Sequence, residues 1–342
     1  MKSIKKYVVW IMLSLFLQMS MYFYLDKYFF VNETVFTSKK IDNTQNTTKL
    51  IENTKIPEKS EDLTLSYDGK YASYIEAGKL KIINLQTAEE EVIPFAQGVN
   101  ISFYKWLPDR DRMFIAEKEV DKDSPIIKFS YYDVKTNDNT QLSNVFINLN
   151  DANDEVENME LSTLTNVIYI KIGQKGYISS VYRINVMGSI EEVASGFIGN
   201  IKIMTTVDKM LYEDISDSQI KVAGLDQTVN IRGVANLALI SIDNEDNVYV
   251  GQVEQNKIVK IFSGTLDENT DSWKITVLKN PVERKNLFVS LEGRIYVNDS
   301  LSRTVKDITS NQETSYKGSF LEIDNNIISS IKNNLLFETT IK

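Results

Sequence analysis

The sequence contains no cysteine and no histidine. Without histidine, the chain has no Ser-His-Asp triad and no imidazole proton shuttle. Without either residue it has no disulfide, no iron–sulfur cluster and none of the usual zinc ligand sets. Any catalysis would have to use carboxylates, lysine, tyrosine, serine or a hard metal ion.

Motifs for nucleotide binding and acyl transfer are also missing. Neither G-x-G-x-x-G, nor a Walker A pattern, nor G-x-S-x-G occurs in the 342 residues. The 47 acidic side chains outnumber the 38 basic ones and give a formal net charge of −9, which argues against binding to the phosphates of nucleic acid. These absences predict a protein that is not an enzyme, uses no cofactor and does not bind nucleic acid.

What the sequence does have, at its start, is a long uncharged segment. The segment begins at Tyr7 and ends at Leu25. Because a helix rises about 1.5 Å per residue, it just spans a hydrocarbon layer of about 30 Å. The cytoplasmic flank of a membrane-spanning helix carries an excess of basic residues, and three lysines precede this segment: Lys2, Lys5 and Lys6.

We therefore predict a single-pass protein of a cytoplasmic membrane, bacterial because the composition is rich in Asn, Ile and Lys. Residues 1–6 form a cytoplasmic tail and residues 7–25 an uncleaved transmembrane signal anchor, with the remaining chain outside. A cleaved signal peptide is the alternative, but bulky residues stand where a cleavage site needs small ones. Residues 26–60, rich in Asn, Thr, Lys and Ser, are predicted to form a flexible stalk, and residues 61–342 the extracytoplasmic domain.

From residue 61 onward, short β-type runs alternate with turn residues, which predicts an all-β domain. A weak repeat of about 45 residues recurs through this part, and that period is typical of propeller blades. The two best copies carry a tight turn between their first two strands, formed by Asp68 and Gly69 in one and by Pro108 and Asp109 in the other. We predict a β-propeller of six to seven four-stranded blades, with a β-sandwich as the alternative.

The segments SYDGKYASYI and WLPDRDRMFIA resemble the blade signatures of two propeller families. One is the TolB-like family, and the other is the WD40-like propeller that precedes the hydrolase domain in relatives of dipeptidyl peptidase IV. A third segment, IDNEDNVYV, is similar to the turn of NHL propellers. The resemblance implies a propeller fold that we expect to act without a hydrolase domain, and it says little about the partner.

Loops rich in acidic residues are weak candidates for calcium binding. Asp267, Asn269 and Asp271 place oxygens at alternate positions, as an EF-hand loop does, but the required glycine and terminal glutamate are absent. A hairpin loop capped by Asx turns explains the same residues. Residues 148–160 fail the same test, and residues 243–247 are of the same kind. The sequence therefore predicts no metal site.

We expect the propeller to be a non-catalytic binding or scaffolding module. Its rim or central opening would hold a protein, a peptide or a cell-wall polymer, while the anchor contacts membrane lipid. Two alternatives stay open. One is a carboxylate-based hydrolase or lyase that acts on glycans, with or without calcium. The other is an assembly factor that recruits partners through its transmembrane helix.

Overall fold

The computed structural model describes residues 2–24, 48–121, 124–174, 177–324 and 326–341. A helix, α1 (Lys2–Tyr24), lies at the start of the chain. The strands belong to a separate compact unit that begins at Gln45.

The helix α1 covers residues 7–24 of the predicted anchor, residues 7–25. Lys6 and Tyr7 are exposed, as are the apolar side chains further along, for example Phe16, which is 73% exposed. Lys2 and Lys5 belong to the same helix, whereas Leu25 lies outside the described residues. Among the residues that the structure describes, no helix is long and apolar enough to cross a membrane.

The strands form seven antiparallel sheets of four strands each, arranged as the blades of a propeller. The first strand is β1 (Thr48–Lys55). Blade 1 contains β2 (Glu61–Leu65), β3 (Tyr71–Glu76), β4 (Lys79–Asn84) and β5 (Glu90–Val92). Blade 2 contains β6 (Val99–Trp106), β7 (Arg112–Asp121), β8 (Ser124–Asp133) and β9 (Asp138–Asn148). Blade 3 contains β10 (Glu155–Ser162), β11 (Val167–Gly173), β12 (Ser179–Ile184) and β13 (Ile190–Gly196).

The remaining strands complete the ring. Blade 4 contains β14 (Ile198–Ile203), β15 (Met210–Asp214), β16 (Gln219–Val222) and β17 (Thr228–Val229). Blade 5 contains β18 (Leu237–Ile242), β19 (Val248–Glu254), β20 (Lys257–Gly264) and β21 (Lys274–Val282), with two 3-10 turns nearby at Thr270–Ser272 and Arg284–Asn286. Blade 6 contains β22 (Leu287–Val289), β23 (Ile295–Asp299), β24 (Thr304–Asp307) and β25 (Glu313–Ser315). Blade 7 contains β26 (Ser319–Asp324), β27 (Ile327–Lys332) and β28 (Leu335–Thr340), and β1 is its fourth strand.

The pairing of β1 with β28 closes the ring. Thr48 pairs with Thr339 and Leu50 with Phe337, so the start and the end of the domain share one sheet. The count is therefore seven blades, and the sandwich alternative is wrong. Residues 48–60 of the predicted stalk belong to the propeller, which corrects the domain start from 61, while residues 26–47 lie outside the described residues.

Seven clusters of buried apolar side chains hold the described part of the ring together, one at each interface between neighbouring blades. Both faces of a blade are covered, so strand side chains that alternate in direction are buried on either side. In β7, Met113 packs towards blade 1 and Phe114 towards blade 3. Trp106 also packs between blades 1 and 2, and its indole N–H donates to Ser73 Oγ at 2.8 Å.

Candidate functional site

The first strands of consecutive blades lie side by side around the axis of the ring, for example β6 beside β10 and β10 beside β14. Each first strand ends in the turn that leads to the second strand of its blade, and residues from the ends of several first strands line the same cavities. The ends of these strands therefore surround one mouth of the central channel. Two cavities lie at this mouth.

The first, which we call the lysine cavity, has a volume of about 490 Å³. Its charged lining comes from four residues, Lys105, Asp109, Glu160 and Lys202, and its apolar lining includes Leu161 and Leu164. The second, the carboxylate cavity, has a volume of about 340 Å³. Two carboxylates line it, Glu322 and Asp324. Four aromatic side chains line it as well: Tyr67, Phe103, Tyr104 and Trp106. The two cavities share four lining residues: Lys105, Trp106, Pro108 and Leu291. They therefore form one site.

A charge triad connects three blades at the lysine cavity. Lys105 Nζ donates to Glu160 Oε2 at 2.8 Å and to the carbonyl oxygen of Met159 at 2.7 Å, and Lys202 Nζ lies 2.5 Å from Glu160 Oε1. Burial alone would raise the pKa of Glu160, but the two lysines outweigh burial and lower it to about 2. Burial, helped by repulsion from Lys202, lowers the pKa of Lys105. Two cations that share one carboxylate give the triad a net positive charge, while the carboxylate of Asp109 is paired with Arg110.

The opposite wall carries Glu322 and Asp324, from the end of β26. Glu322 Oε1 accepts a hydrogen bond from the backbone N–H of Leu65 at 3.2 Å. Burial, together with the smaller effect of the charge of Asp324, raises the pKa of Glu322 to about 7. The mouth of the channel is therefore positive on one side and acidic on the other.

The predicted turn residues lie at this same end of the ring. Gly69 has a φ of 68°, as the predicted tight turn requires. Asp68 Oδ1 accepts from Ser66 Oγ and from the backbone N–H of Lys70, each at 3.0 Å. Pro108 lines both cavities, and the neighbouring Asp109, which lines the lysine cavity, forms an ion pair with Arg110 at 2.7 Å.

A contact between two of these turns was not visible in the sequence. Asp111 follows the Pro108 turn of blade 2 and lies within hydrogen-bonding reach of Asp68 in blade 1. Asp111 is only 4% exposed, and its Oδ1 has no hydrogen-bond partner among the described atoms. Burial and the charge of Asp68 raise the pKa of Asp111. Two carboxyl groups therefore meet at the interface between blades 1 and 2.

The calcium candidates do not converge. Asp267 is exposed, and Asn269 Oδ1 accepts from the backbone N–H of Asp271 at 3.0 Å, which is the Asx turn that the sequence offered as the alternative. Asp271 forms an ion pair with Arg232 at 2.7 Å. In the part of the chain that the structure describes, no three carboxylates are grouped so that they could hold a metal ion.

The charged residues of the channel mouth were missed by the sequence analysis, although a signal for them exists. Lys105, Glu160, Lys202 and Glu322 each occupy the same place near the end of a first strand, and each is followed by an apolar residue. Because the side chains of consecutive strand residues point in opposite directions, the charged side chain points away from the core in which the following apolar residue packs. Alignment of the repeats by their first strands, rather than by their turns, would have brought these four residues into one column.

Comparisons with known proteins establish the fold. No protein-family model matches the chain, and no curated protein matches it. The β-propeller domain of Myceliophteria thermophila Cps50 (Swd1) is 8% identical, with a TM-score of 0.53 over 86% of this chain and 100% of that one. A chain of the mitotic checkpoint complex is 10% identical, with a TM-score of 0.53 over 89% of this chain and 99% of that one. A prolyl endopeptidase is 13% identical, with a TM-score of 0.53 over 75% of this chain and 42% of that one.

At such identities these likenesses show the fold alone. The class of protein is therefore a β-propeller, as the repeat predicted, and the structure fixes the number of blades at seven, which the repeat had left at six or seven. The match to a prolyl endopeptidase agrees in fold with the predicted resemblance to peptidase propellers. The particular propeller family that the two turn motifs resemble stays a prediction.

Proposed function

We propose that this chain is a non-catalytic binding or scaffolding module that works at a cytoplasmic membrane. In this proposal the N-terminal helix anchors the chain, with its first residues in the cytoplasm and the propeller outside. The central opening holds a protein, a peptide or a cell-wall polymer.

The observation that carries the proposal is the pair of joined cavities at the channel mouth. Binding sites for small groups are concave and mostly apolar, with a few charged groups that fix orientation. The mouth has this character, because apolar and aromatic side chains surround a positive wall and an acidic wall. On its border Leu164 is 68% exposed, and an exposed large apolar side chain beside a cavity offers contact area to a partner.

The proposal for the anchor rests on the sequence and on exposure. Lysines precede an uncharged run, and the described apolar side chains of α1 face solvent, among them Trp10, Leu13 and Met19. Exposure of apolar surface to water is unfavourable by about 25 cal/mol for each Å². A lipid layer would cover this surface.

One fold neighbour supports a protein partner. The mitotic checkpoint complex, which contains a chain of similar fold, is by its name an assembly. From this neighbour we infer only that a protein with a propeller fold can be part of a complex.

The test compares two exposed leucines at opposite ends of the ring. Leu164 lies in the turn between β10 and β11 at the channel mouth, and Leu301, which is 98% exposed, lies in the turn between β23 and β24 at the other end. Affinity capture of the tagged full-length chain from solubilised membranes should recover a partner. Leu164→Asp should lose that partner and Leu301→Asp should retain it. Equal recovery with both variants would contradict binding at the opening.

A second candidate, a carboxylate-based glycan hydrolase or lyase, is favoured by one observation. Glu322 has a pKa near 7 and shares its cavity with Asp324, and a carboxyl group that titrates near neutral pH suits general acid catalysis. Incubation of the full-length chain with cell-wall glycans should then give products that Glu322→Gln abolishes. No turnover by the unaltered chain, with or without calcium, would reject this candidate.

A further inference from the structure

We propose that the carboxylate cavity binds a primary ammonium group of a peptide ligand against Glu322 and Asp324. The inference rests on the proposed function, because it names the chemistry that the same opening recognises. The peptide would supply either a lysine side chain or a free N-terminal amine.

The first argument is that Glu322 has no basic partner among the described residues. Its hydrogen bond comes from the backbone N–H of Leu65, which is uncharged. Lys105 lines the same cavity, but its ammonium group is already bound to Glu160 and to a backbone carbonyl. A carboxylate held in a concave, partly desolvated site is stabilised by an opposite charge. An ammonium group from a ligand would supply that charge.

The second argument is the nature of the walls. Tyr67, Phe103, Tyr104 and Trp106 line the cavity together with Leu65. Aromatic faces attract a cation that comes within about 6 Å of the ring centre. Aliphatic methylene groups also pack well against such rings. A lysine side chain combines both properties, since an apolar stem carries a charged end.

The third argument concerns size and long-range charge. A cavity of about 340 Å³ accepts a side chain or a chain end but not a folded domain. The charged residues among the first 27 carry +3, so −12 remains on the rest of a chain whose total is −9. A negative domain attracts basic ligands and speeds their association. Charge at long range and charge inside the cavity therefore favour the same kind of ligand.

Titration gives the proposal a distinctive signature. Burial and the charge of Asp324 hold the pKa of Glu322 near 7, with the Leu65 N–H acting in the opposite direction. Tyr67, Tyr104 and Lys105 are the other titratable groups that line this cavity, and burial raises the pKa of Tyr104 to about 12. Glu322 therefore gains its charge as the pH rises from 6 to 8. Affinity for an ammonium group should rise over the same range.

The experiment uses the full-length chain in mild detergent and four dye-labelled peptides that differ in one group. One peptide has a blocked N-terminus and a single lysine, and the second has a free N-terminus and norleucine in place of lysine. The third has both amines and the fourth has neither. Binding is followed by fluorescence anisotropy and by quenching of Trp106, with Glu322→Gln as the test variant and the exposed Glu292→Gln as a control for loss of one charge.

We expect at least one amine-bearing peptide to bind and the peptide without an amine to bind at least tenfold more weakly. The comparison of the first two peptides identifies the source of the ammonium group. Glu322→Gln should lose at least tenfold in affinity and Glu292→Gln less than twofold. For the blocked lysine peptide, the affinity of the unaltered chain should rise between pH 6 and pH 8, whereas that of Glu322→Gln should stay constant.

The outcomes that overturn the proposal differ from those that overturn the proposed function. Equal binding of all four peptides, unchanged affinity in Glu322→Gln, or no binding of any peptide would reject ammonium recognition. Each of these results leaves open a partner bound elsewhere at the opening, which the Leu164 and Leu301 comparison tests separately. Glutamine resembles the protonated glutamate that the cavity already holds near neutral pH, so Glu322→Gln should fold, and an unchanged melting temperature would verify this.

Discussion

At the scale of single residues, the meeting of Asp68 and Asp111 is a local conflict. Asp68 is well supported, since it accepts from Ser66 Oγ and pairs with Lys70 at 2.5 Å. Asp111 is more deeply buried, and Lys135, 3.9 Å away, is a distant and largely exposed partner. A buried carboxyl group beside another carboxyl group favours its protonated form. Asp111 therefore contributes less to stability when it is ionised.

The first prediction is that Asp111→Asn stabilises the protein at pH 7 by about 1 kcal/mol, since the amide removes the repulsion and can donate to Asp68. Because the pKa of Asp111 is higher in the folded state than in the unfolded state, its protonated form stabilises the fold. This stabilisation is complete at a pH below the ordinary pKa of 3.8, and it is lost as the pH rises through the raised pKa. The extra stability of Asp111→Asn over the unaltered protein should therefore develop as the pH rises from 4 to 7. Thermal unfolding at both pH values measures it.

Asp109→Asn is the matched control for this prediction. Asp109 is two residues away and forms an exposed ion pair with Arg110, and such pairs contribute about 0–1 kcal/mol. A gain in stability for Asp111→Asn that is equally large at pH 4 would contradict the interpretation, because repulsion requires both groups to be charged.

The second prediction concerns the triad at the lysine cavity. Glu160→Gln leaves Lys105 and Lys202 facing each other without a shared anion, and we expect a loss of about 2 kcal/mol at pH 7. Because the pKa of Glu160 is lowered in the folded state, its ionised form stabilises the fold. This stabilisation is present at a pH above the ordinary pKa of 4.5, and it disappears as the pH falls towards about 2. Denaturant unfolding at pH 7 and pH 2.5 should show a difference between the two proteins that shrinks in acid.

The control for the triad is Glu119→Gln. Glu119 pairs with Lys128 at 2.7 Å on a half-exposed surface, so its loss should cost less than about 1 kcal/mol. Equal effects of Glu160→Gln and Glu119→Gln would show that the triad stabilises the ring no more than a surface pair does.

At the scale of the elements, β1 is the strand on which closure depends. It pairs with β28, and the chain directly after it brings Ile56 into the fully buried core between blades 7 and 1. The backbone N–H of Ile56 also donates to the carbonyl oxygen of Asn334 at 2.9 Å. Without β1, the edge of β28 would be open to pairing with other chains.

The third prediction compares two truncated chains. Residues 45–342 retain β1, and residues 61–342 lack it together with Ile56. The shorter chain should lose roughly 3 kcal/mol or more, because a buried isoleucine and a strand edge are both removed, and it should aggregate. Circular dichroism melting curves and size-exclusion chromatography measure both effects. Equal melting temperatures for the two chains would refute the role of β1 in closure.

The strands were predictable to different degrees, for a physical reason. The strand β7 was visible because a blade between two others buries both faces, so its sequence MFIA is a continuous apolar run. The strand β1, TKLIENTK, has few apolar residues, and its partner lies almost 300 residues further along the chain. Local patterns carry no information about such a pairing. The turn at Asp68 and Gly69 was predictable because glycine adopts the positive φ of a tight turn without strain.

At the scale of the whole molecule, the two ends of the chain have opposite properties. The first residues are basic and apolar, whereas the propeller is strongly acidic. In our proposal this division separates a membrane end from a displayed end. Predicting the propeller from sequence needed only a repeat and two turns, whereas locating its site needed the ring to bring four distant first strands to one mouth.

The fourth prediction is that the full-length chain sediments with membranes and resists extraction by carbonate, whereas residues 45–342 do not. Protease added to intact cells should remove the propeller and leave a small membrane-bound fragment.

Replacement of residues 7–25 by an unrelated membrane span should preserve function if the helix only tethers the chain. Recovery of the full-length chain in the soluble fraction would contradict the anchor.

The most direct test of the central claim is photo-crosslinking on intact cells from single positions at the two ends of the ring. Leu164 and Leu291 report on the channel mouth, and Tyr177 and Leu301, both almost fully exposed, report on the opposite end. We predict that one partner crosslinks from both mouth positions and from neither of the others. A partner found only from Tyr177 or Leu301, or none from the mouth, would contradict binding at the central opening.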